Sequence, residues 1–233
     1  EEKDCTRDLG VQVGTDLMFS DQVDHAVAAG SRMAGWVLRS FRHRGRGVMM
    51  TLLRCLVQPR LDYCSQLWSP SDQGSINRLE AVQHSFVSRI RDPLLEQLDY
   101  WGKLELLRLY SQERRRERYM LCFLWKLSRG LISGYNIKWQ RSDRRGLYAV
   151  PTPLVRGAPV AVRRARERSL SVRGARIFNL LPASLRNEEG DFELFKNHLD
   201  IFLSGVPDQP TTPGLARGAA TNSLLDQLPI FNN

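Results

Sequence analysis

Apolar side chains return at every third or fourth position between residues 21 and 43: Val23, Ala26, Val27, Gly30, Met33, Ala34, Val37, Leu38 and Phe41. That period matches the α-helix, so these residues form one buried face, and Arg32, Arg39 and Arg42 lie on the other. Ser20-Asp21 reads as the helix start, Gly45 and Gly47 break the helix, and Arg44 and Arg46 sit at its end. A second helix runs from Val48 to Pro59, whose missing backbone donor calls for a kink or restart before residues 61–64; Trp68-Ser69-Pro70 closes that segment. A third starts at Asp72 or Ser75 with Ile76, Leu79, Val82, Phe86, Val87 and Ile90 on one stripe. Arg78, His84, Arg89 and Arg91 lie off it, and Pro93 stops it.

A short helix over residues 99–109 precedes a long one over 112–129. Its first turns carry Arg114, Arg115, Arg116 and Arg118, while residues 119–127 are apolar almost all round. This pattern predicts a basic end projecting from a core that the aromatic end anchors. Residues 131–162 lose the period and gain Gly, Pro and Arg, so they form a loop-rich linker with a short strand over 147–150. Helical spacing returns within 163–204, where Phe192, Phe195, Leu199, Phe202 and Leu203 share a face and Asp191 caps it. Proline and polar residues then predict a disordered tail over 205–233. The alternation of residues 7–13 reads as one short N-terminal strand. The expected fold is mainly α: a helical domain over residues 1–130, the linker, and a small C-terminal helical region.

The 42% hydrophobic content suits a folded protein, and no window approaches about 18 uninterrupted apolar residues, so no membrane span is expected. The first ten residues lack the basic and apolar regions of a secretory signal, which predicts an intracellular protein. Cys5, Cys55, Cys64 and Cys122 match neither a metal knuckle nor a dense disulfide framework, and are expected to be reduced and mostly buried. His25, His43, His84 and His198 are equally scattered, so no metal site and no cofactor are expected. Neither a nucleophile-and-base set nor a Gly-rich phosphate loop occurs, which leaves a hydrolase without support.

The net charge of +9 conceals an uneven distribution. Residues 31–180 hold 29 basic and 11 acidic side chains, and 26 of the basic ones are arginine. Both flanking segments are net acidic. Such a block is a sequence-independent footprint for polyanions, because each phosphate neutralised releases counterions and the arginine fork suits phosphate oxygens. Candidate nucleic-acid contacts are Arg39, Arg42, Arg44 and Arg46; Arg114, Arg115, Arg116 and Arg118; and Arg163, Arg164, Arg166 and Arg168. A solvated helix terminus is the alternative for each group. Trp68, Trp101, Trp125 and Trp139 are assigned to helix packing in preference to base stacking.

Six short motifs stand in one order: Arg7-Asp8-Leu9-Gly10-Val11; Leu56-Val57-Gln58-Pro59-Arg60-Leu61-Asp62-Tyr63; Trp68-Ser69-Pro70; Leu79-Glu80-Ala81-Val82-Gln83-His84-Ser85-Phe86; residues 104–116; and Phe178-Asn179-Leu180-Leu181-Pro182 with Phe195-Lys196 beyond. In this order they resemble the thumb and C-terminal region of reverse transcriptases from LINE-type (non-LTR, jockey-like) retrotransposons. Two departures stand out: His84 replaces an arginine frequent in the family, and Phe178 stands where tryptophan is usual. The resemblance implies a helical thumb that holds a template-primer duplex by its backbone, with the palm and fingers of the parent polymerase as partners and a nuclear location. It also implies that the strand at Arg7 would pair upstream of Glu1, within a longer reading frame. The family's Tyr-x-Asp-Asp motif does not occur here, so the chain is expected to be catalytically inert on its own. The rival expectation is a structural or protein-interaction module that self-associates or docks an acidic partner.

Overall fold

The computed structural model describes residues 5–15, 19–133, 141–142, 147–148, 159–210 and 222–231. The chain is mainly helical, with a small antiparallel sheet near its N-terminus. It forms two compact units, residues 1–113 and 114–233, so the division falls ahead of the linker expected at 131–162.

In the first unit, β1 (Cys5–Asp8) and β2 (Val11–Gly14) pair antiparallel, Asp8 opposite Val11. The segment expected to be one strand is therefore a hairpin that supplies its own partner. Leu9 and Gly10 both take positive φ, 44° and 89°, the condition for a two-residue turn whose twist matches that of the strands. Tyr63 Oη donates to Leu9 O at 2.8 Å and its ring lies against Gly10, which holds the turn in place.

Helix α1 (Ser20–Ser40) follows the predicted period: Val23, Ala26, Gly30, Ala34 and Val37 are buried. Phe19 occupies the cap position and provides no side-chain bond, so Ser20-Asp21 is not the cap. Helix α2 (Arg46–Leu52) leads into a π-helical turn, Leu53–Val57, and then into α3 (Gln58–Asp62). The widened turn sits directly before Pro59, at the place where the missing donor interrupts regular α bonding. Cys64 takes φ 52° and reverses the chain into the single turn α4 (Ser65–Trp68), where Trp68 Nε1 donates to Tyr63 O at 2.7 Å.

Helix α5 (Gln73–Val87) is capped by Asp72, whose carboxylate accepts from Ser75 N at 2.8 Å. Asp92 caps a short 3₁₀ turn, Pro93–Leu95, and Asp99 caps α6 (Tyr100–Leu107). The core gathers α1, α3 and α5 around Leu53, Val57, Leu61, Leu79 and Phe86. Gly30 makes their approach possible: a Cβ there would meet Leu61 Cδ2 at 2.6 Å.

Gln83, fully buried in α5, organises the polar part of this unit. Its amide donates to Tyr110 O at 3.0 Å, and its carbonyl oxygen accepts from Gln112 Nε2 at 2.6 Å and Gln58 Nε2 at 3.5 Å. Glu80 accepts from Tyr100 Oη and, at 2.7 Å, from Gln112 N. Glu80 and Gln83, both in one quoted motif, thus secure the fold from inside.

The second unit is built on the remainder of α7 (Gln112–Ser128). Met120, Leu121, Cys122, Leu124 and Trp125 are buried, and Trp125 stacks on Phe195 at 5.0 Å between ring centroids. A minimal hairpin pairs β3 (Arg141–Ser142) with β4 (Leu147–Tyr148), and α8 (Val160–Arg168) leads through a π-helical turn, Leu170–Gly174, into α9 (Ala175–Leu180). Residues 149–150 of the expected strand lie outside the described residues. Asn179 acts as a strand edge for Tyr148, accepting from its N at 2.8 Å and donating to its O at 2.9 Å.

After α10 (Ala183–Arg186), helix α11 (Phe192–Ser204) is capped by Asp191 as predicted and buries Phe195, Leu199 and Leu203. Of the tail expected to be disordered over 205–233, residues 211–221 and 232–233 lie outside the described residues, and the end of the chain departs from expectation. Residues 222–231 are ordered, and α12 (Leu224–Phe231) packs on α9 with Leu224 and Leu228 fully buried. No described helix is long and apolar enough to cross a membrane.

Candidate nucleic-acid interface

Helices α1 and α5 lie side by side and leave an open groove between their outward faces. Small residues, Ser31, Ala34 and Gly35 from α1 and Ala81 and Ser85 from α5, line it together with the apolar Val27, Leu38 and Val82. Arg39, Arg78 and Arg89 line it. Arginines along such a groove suit a run of phosphates. Arg39 lies over Gly35, since a Cβ at Gly35 would meet Arg39 Nη1 at 3.2 Å. Arg78 pairs with Asp24, and Arg89 donates to Ser85 O and, at 2.7 Å, to Ser85 Oγ. Both bonds are on the surface, where water and phosphate compete well, so they orient the guanidinium groups without burying them.

Across α1 a second groove continues from the first, sharing Ser31, Gly35 and Arg39 with it. Arg32 and Trp36 of α1 and Arg60 of α3 line this side. The five arginines of the two grooves, Arg32, Arg39, Arg60, Arg78 and Arg89, are all exposed.

The residues proposed from sequence divide sharply. Arg39 lines both grooves, and Arg42 is exposed just past the end of α1. Arg44 folds back, its Nη2 donating to Leu38 O at 3.1 Å, and Arg46 pairs with Asp92 at 3.3 Å. The arginines of α7 are not a projecting basic end. Arg114 is fully buried, its guanidinium donating to Val206 O at 3.3 Å, Pro207 O at 3.0 Å and Asn222 O at 3.2 Å. Arg116 is 3% exposed. Arg115 is half-buried and donates to Tyr119 Oη at 2.6 Å, and Arg118 makes a two-bond pair with Asp200 at 2.5 and 2.6 Å. This cluster belongs to the interior because the segments around residues 206 and 222 bring carbonyl oxygens to it. On α8, Arg163 and Arg164 are exposed, whereas Arg166 and Arg168 are half-buried.

Arg32, Arg60, Arg78, Arg89 and Trp36 were not among the candidates. A signal for them was present: Arg32, Trp36 and Arg39 are spaced by four and three residues and must share a helix face. Arg78 and Ser85 lie seven residues apart on α5, two turns of helix, and Arg89 follows four residues on, just past its end. The density of an arginine run does not report its exposure: Arg114 and Arg116 stand in the densest run and are buried. His84 is exposed and meets Tyr100 edge to face at 4.5 Å.

Trp68 and Trp125 are buried as expected, Trp101 is half-buried, and Trp139 lies outside the described residues. The thiols are free; Cys122 is buried, and that burial raises its pKa above the ordinary thiol value. Cys55 is exposed and Cys5 and Cys64 half-buried, so burial is less general than the sequence suggested. Among the described residues no three His, Cys, Asp or Glu side chains gather as a metal site would require. No family model matches this chain, and no curated protein or solved structure matches it either.

Proposed function

We propose that this chain is the thumb and C-terminal region of a LINE-type reverse transcriptase, and that it holds a template-primer duplex without reading its sequence. The observation that carries this reading is the α1–α5 groove, with Arg39, Arg78 and Arg89 along it. A clamp on a growing duplex has to tolerate every sequence, and arginine–phosphate contacts do so where base-edge contacts would not. The role of the quoted motifs is consistent with it: Glu80, Gln83, Asn179 and Phe195 secure the units, leaving the arginine face to evolve for grip. Polymerisation would reside in the palm of the parent enzyme, and a nuclear location goes with that reading.

Filter binding of an RNA–DNA duplex at stepped salt tests it. With Arg39, Arg78 and Arg89 each neutralising one phosphate, log affinity should fall against log salt with a slope of about −3. Affinity unchanged between low and moderate salt would refute the reading. Primer extension by this chain alone should yield no product with any divalent metal.

A second reading, self-association or docking to a protein, draws on exposed apolar side chains such as Leu94 at 63% and Leu106 at 40% in the first unit and Ile201 at 70% in the second. Light scattering over a concentration series decides it, because a monomer at every concentration removes the self-association form.

A further inference from the structure

We propose that the groove on the Trp36 side of α1 holds an unpaired nucleobase stacked on the indole, with Arg32, Arg39 and Arg60 taking the neighbouring phosphates. The inference rests on the phosphate-gripping reading of this face and adds a ligand class to it: a strand that is single at this point.

Trp36 is 51% exposed, whereas Trp68 and Trp125 are almost wholly buried. A surface indole ringed by three arginines is poorly suited to a hydrophobic protein contact, since docking an apolar partner there would strip water from the charges. It suits a nucleotide, which presents a flat π face and an anion together. The groove supplies both parts. Trp36 shares the lining with the small Ala29, the apolar Met33, and Arg32, Arg39 and Arg60. Phe41 meets the indole edge-on, with ring centroids 6.4 Å apart and planes at 77°, which restricts the ring before any ligand arrives.

A paired duplex keeps its bases in its own stack, and turning one out costs unstacking energy. The favoured ligand is therefore a nucleotide already unpaired, at the end of a duplex or in a gap. Because the two grooves share Ser31, Gly35 and Arg39, a paired segment lying in the α1–α5 groove leads across α1 to the tryptophan.

Fluorescence anisotropy with the full chain tests this, using a short single-stranded oligonucleotide and a blunt-ended duplex of equal length at low salt. Trp36→Ala should weaken single-strand binding by about 5- to 100-fold and change blunt-duplex binding by no more than about twofold. Trp36→Phe should retain most of the affinity. A single abasic nucleotide moved along the strand should lower wild-type affinity at one position and add no further loss in Trp36→Ala. Equal losses on both ligands, no loss on either, or an abasic scan without a sensitive position would overturn the proposal. So would a Trp36→Ala chain that changes from oligomer to monomer while binding the single strand unaltered, since the indole would then be a protein contact. If Trp36→Ala fails to fold, the abasic scan on wild type and the Trp36→Phe comparison still decide. Failure of the duplex reading looks different: wild-type duplex binding would be absent or indifferent to salt, whatever the single-strand arms show.

Discussion

Arg114 and Arg39 are chemically identical and do opposite jobs. Arg114 satisfies three backbone carbonyls inside the second unit, and Arg39 lies open over Gly35. Replacing Arg114 with alanine removes this donor from the buried carbonyls of Val206 and Asn222, at about 1–3 kcal/mol for each. Arg114→Ala should therefore lower the denaturation midpoint strongly, and a midpoint within error of wild type would show that the buried carbonyls find other donors. Arg39→Ala should leave stability unchanged within about 0.5 kcal/mol and weaken duplex binding. Trp125 is 2% exposed between Phe192 and Phe195, so Trp125→Ala should cost roughly 3–5 kcal/mol in chemical denaturation. Near-neutral behaviour would place its ring outside the core. Sequence spacing foretold Trp125, because apolar neighbours surround it on every face of α7. It could not foretell Arg114, whose partners lie 92, 93 and 108 positions away.

At the scale of elements, the helices announced themselves through local signals. Asp72, Asp99 and Asp191 each accept a backbone bond at a helix start, and bonds of that kind involve residues only three apart. The proline at position 59 was expected to disturb its helix, and the structure absorbs it with one π-helical turn. Gly30 was counted as part of the apolar face of α1, yet its importance lies in the absence of a side chain. Gly30→Ala would put a methyl group 2.6 Å from Leu61 Cδ2 and 3.3 Å from Val82 Cγ1. The overpacking should cost roughly 1–3 kcal/mol, whereas the same change at the exposed Gly47, which has nothing within 4 Å, should be neutral or stabilising. Urea melts of both variants check the contrast, and equal midpoints would mean that α1 can move away from α3 freely. The alternation of residues 7–13 runs through Leu9-Gly10 and hides the turn between β1 and β2. Only the positive φ of both residues reveals the turn.

For the whole molecule, the largest surprise is the end of the chain. Glu117, buried at 1% exposure, accepts from Arg173 at 3.2 Å, from Ser223 Oγ at 2.5 Å and from Leu224 N at 2.7 Å. It thus caps α12 from a distance of more than a hundred positions, and Arg114 holds Asn222 beside it. Deleting residues 222–233 would leave a buried carboxylate with two donors fewer and uncover the faces under Leu224 and Leu228. The second unit should then melt earlier, while salt-dependent duplex binding by the α1–α5 face persists. Unchanged melting would show that the bonds from Ser223 and Leu224 to Glu117 do not brace the second unit. Proline-rich composition concealed this segment, since it describes the stretch before the helix and says nothing of a carboxylate waiting elsewhere. Residue order and short-range chemistry were enough to establish a mainly helical chain, the apolar face of each long helix and the Asp191 cap, because a period of 3.6 residues and a capping bond act within one turn. The choice among arginines, which brace the interior and which face solvent, belonged to the folded chain. A guanidinium group is buried or bare according to what long-range packing brings against it, and nothing within its own turn carries that information.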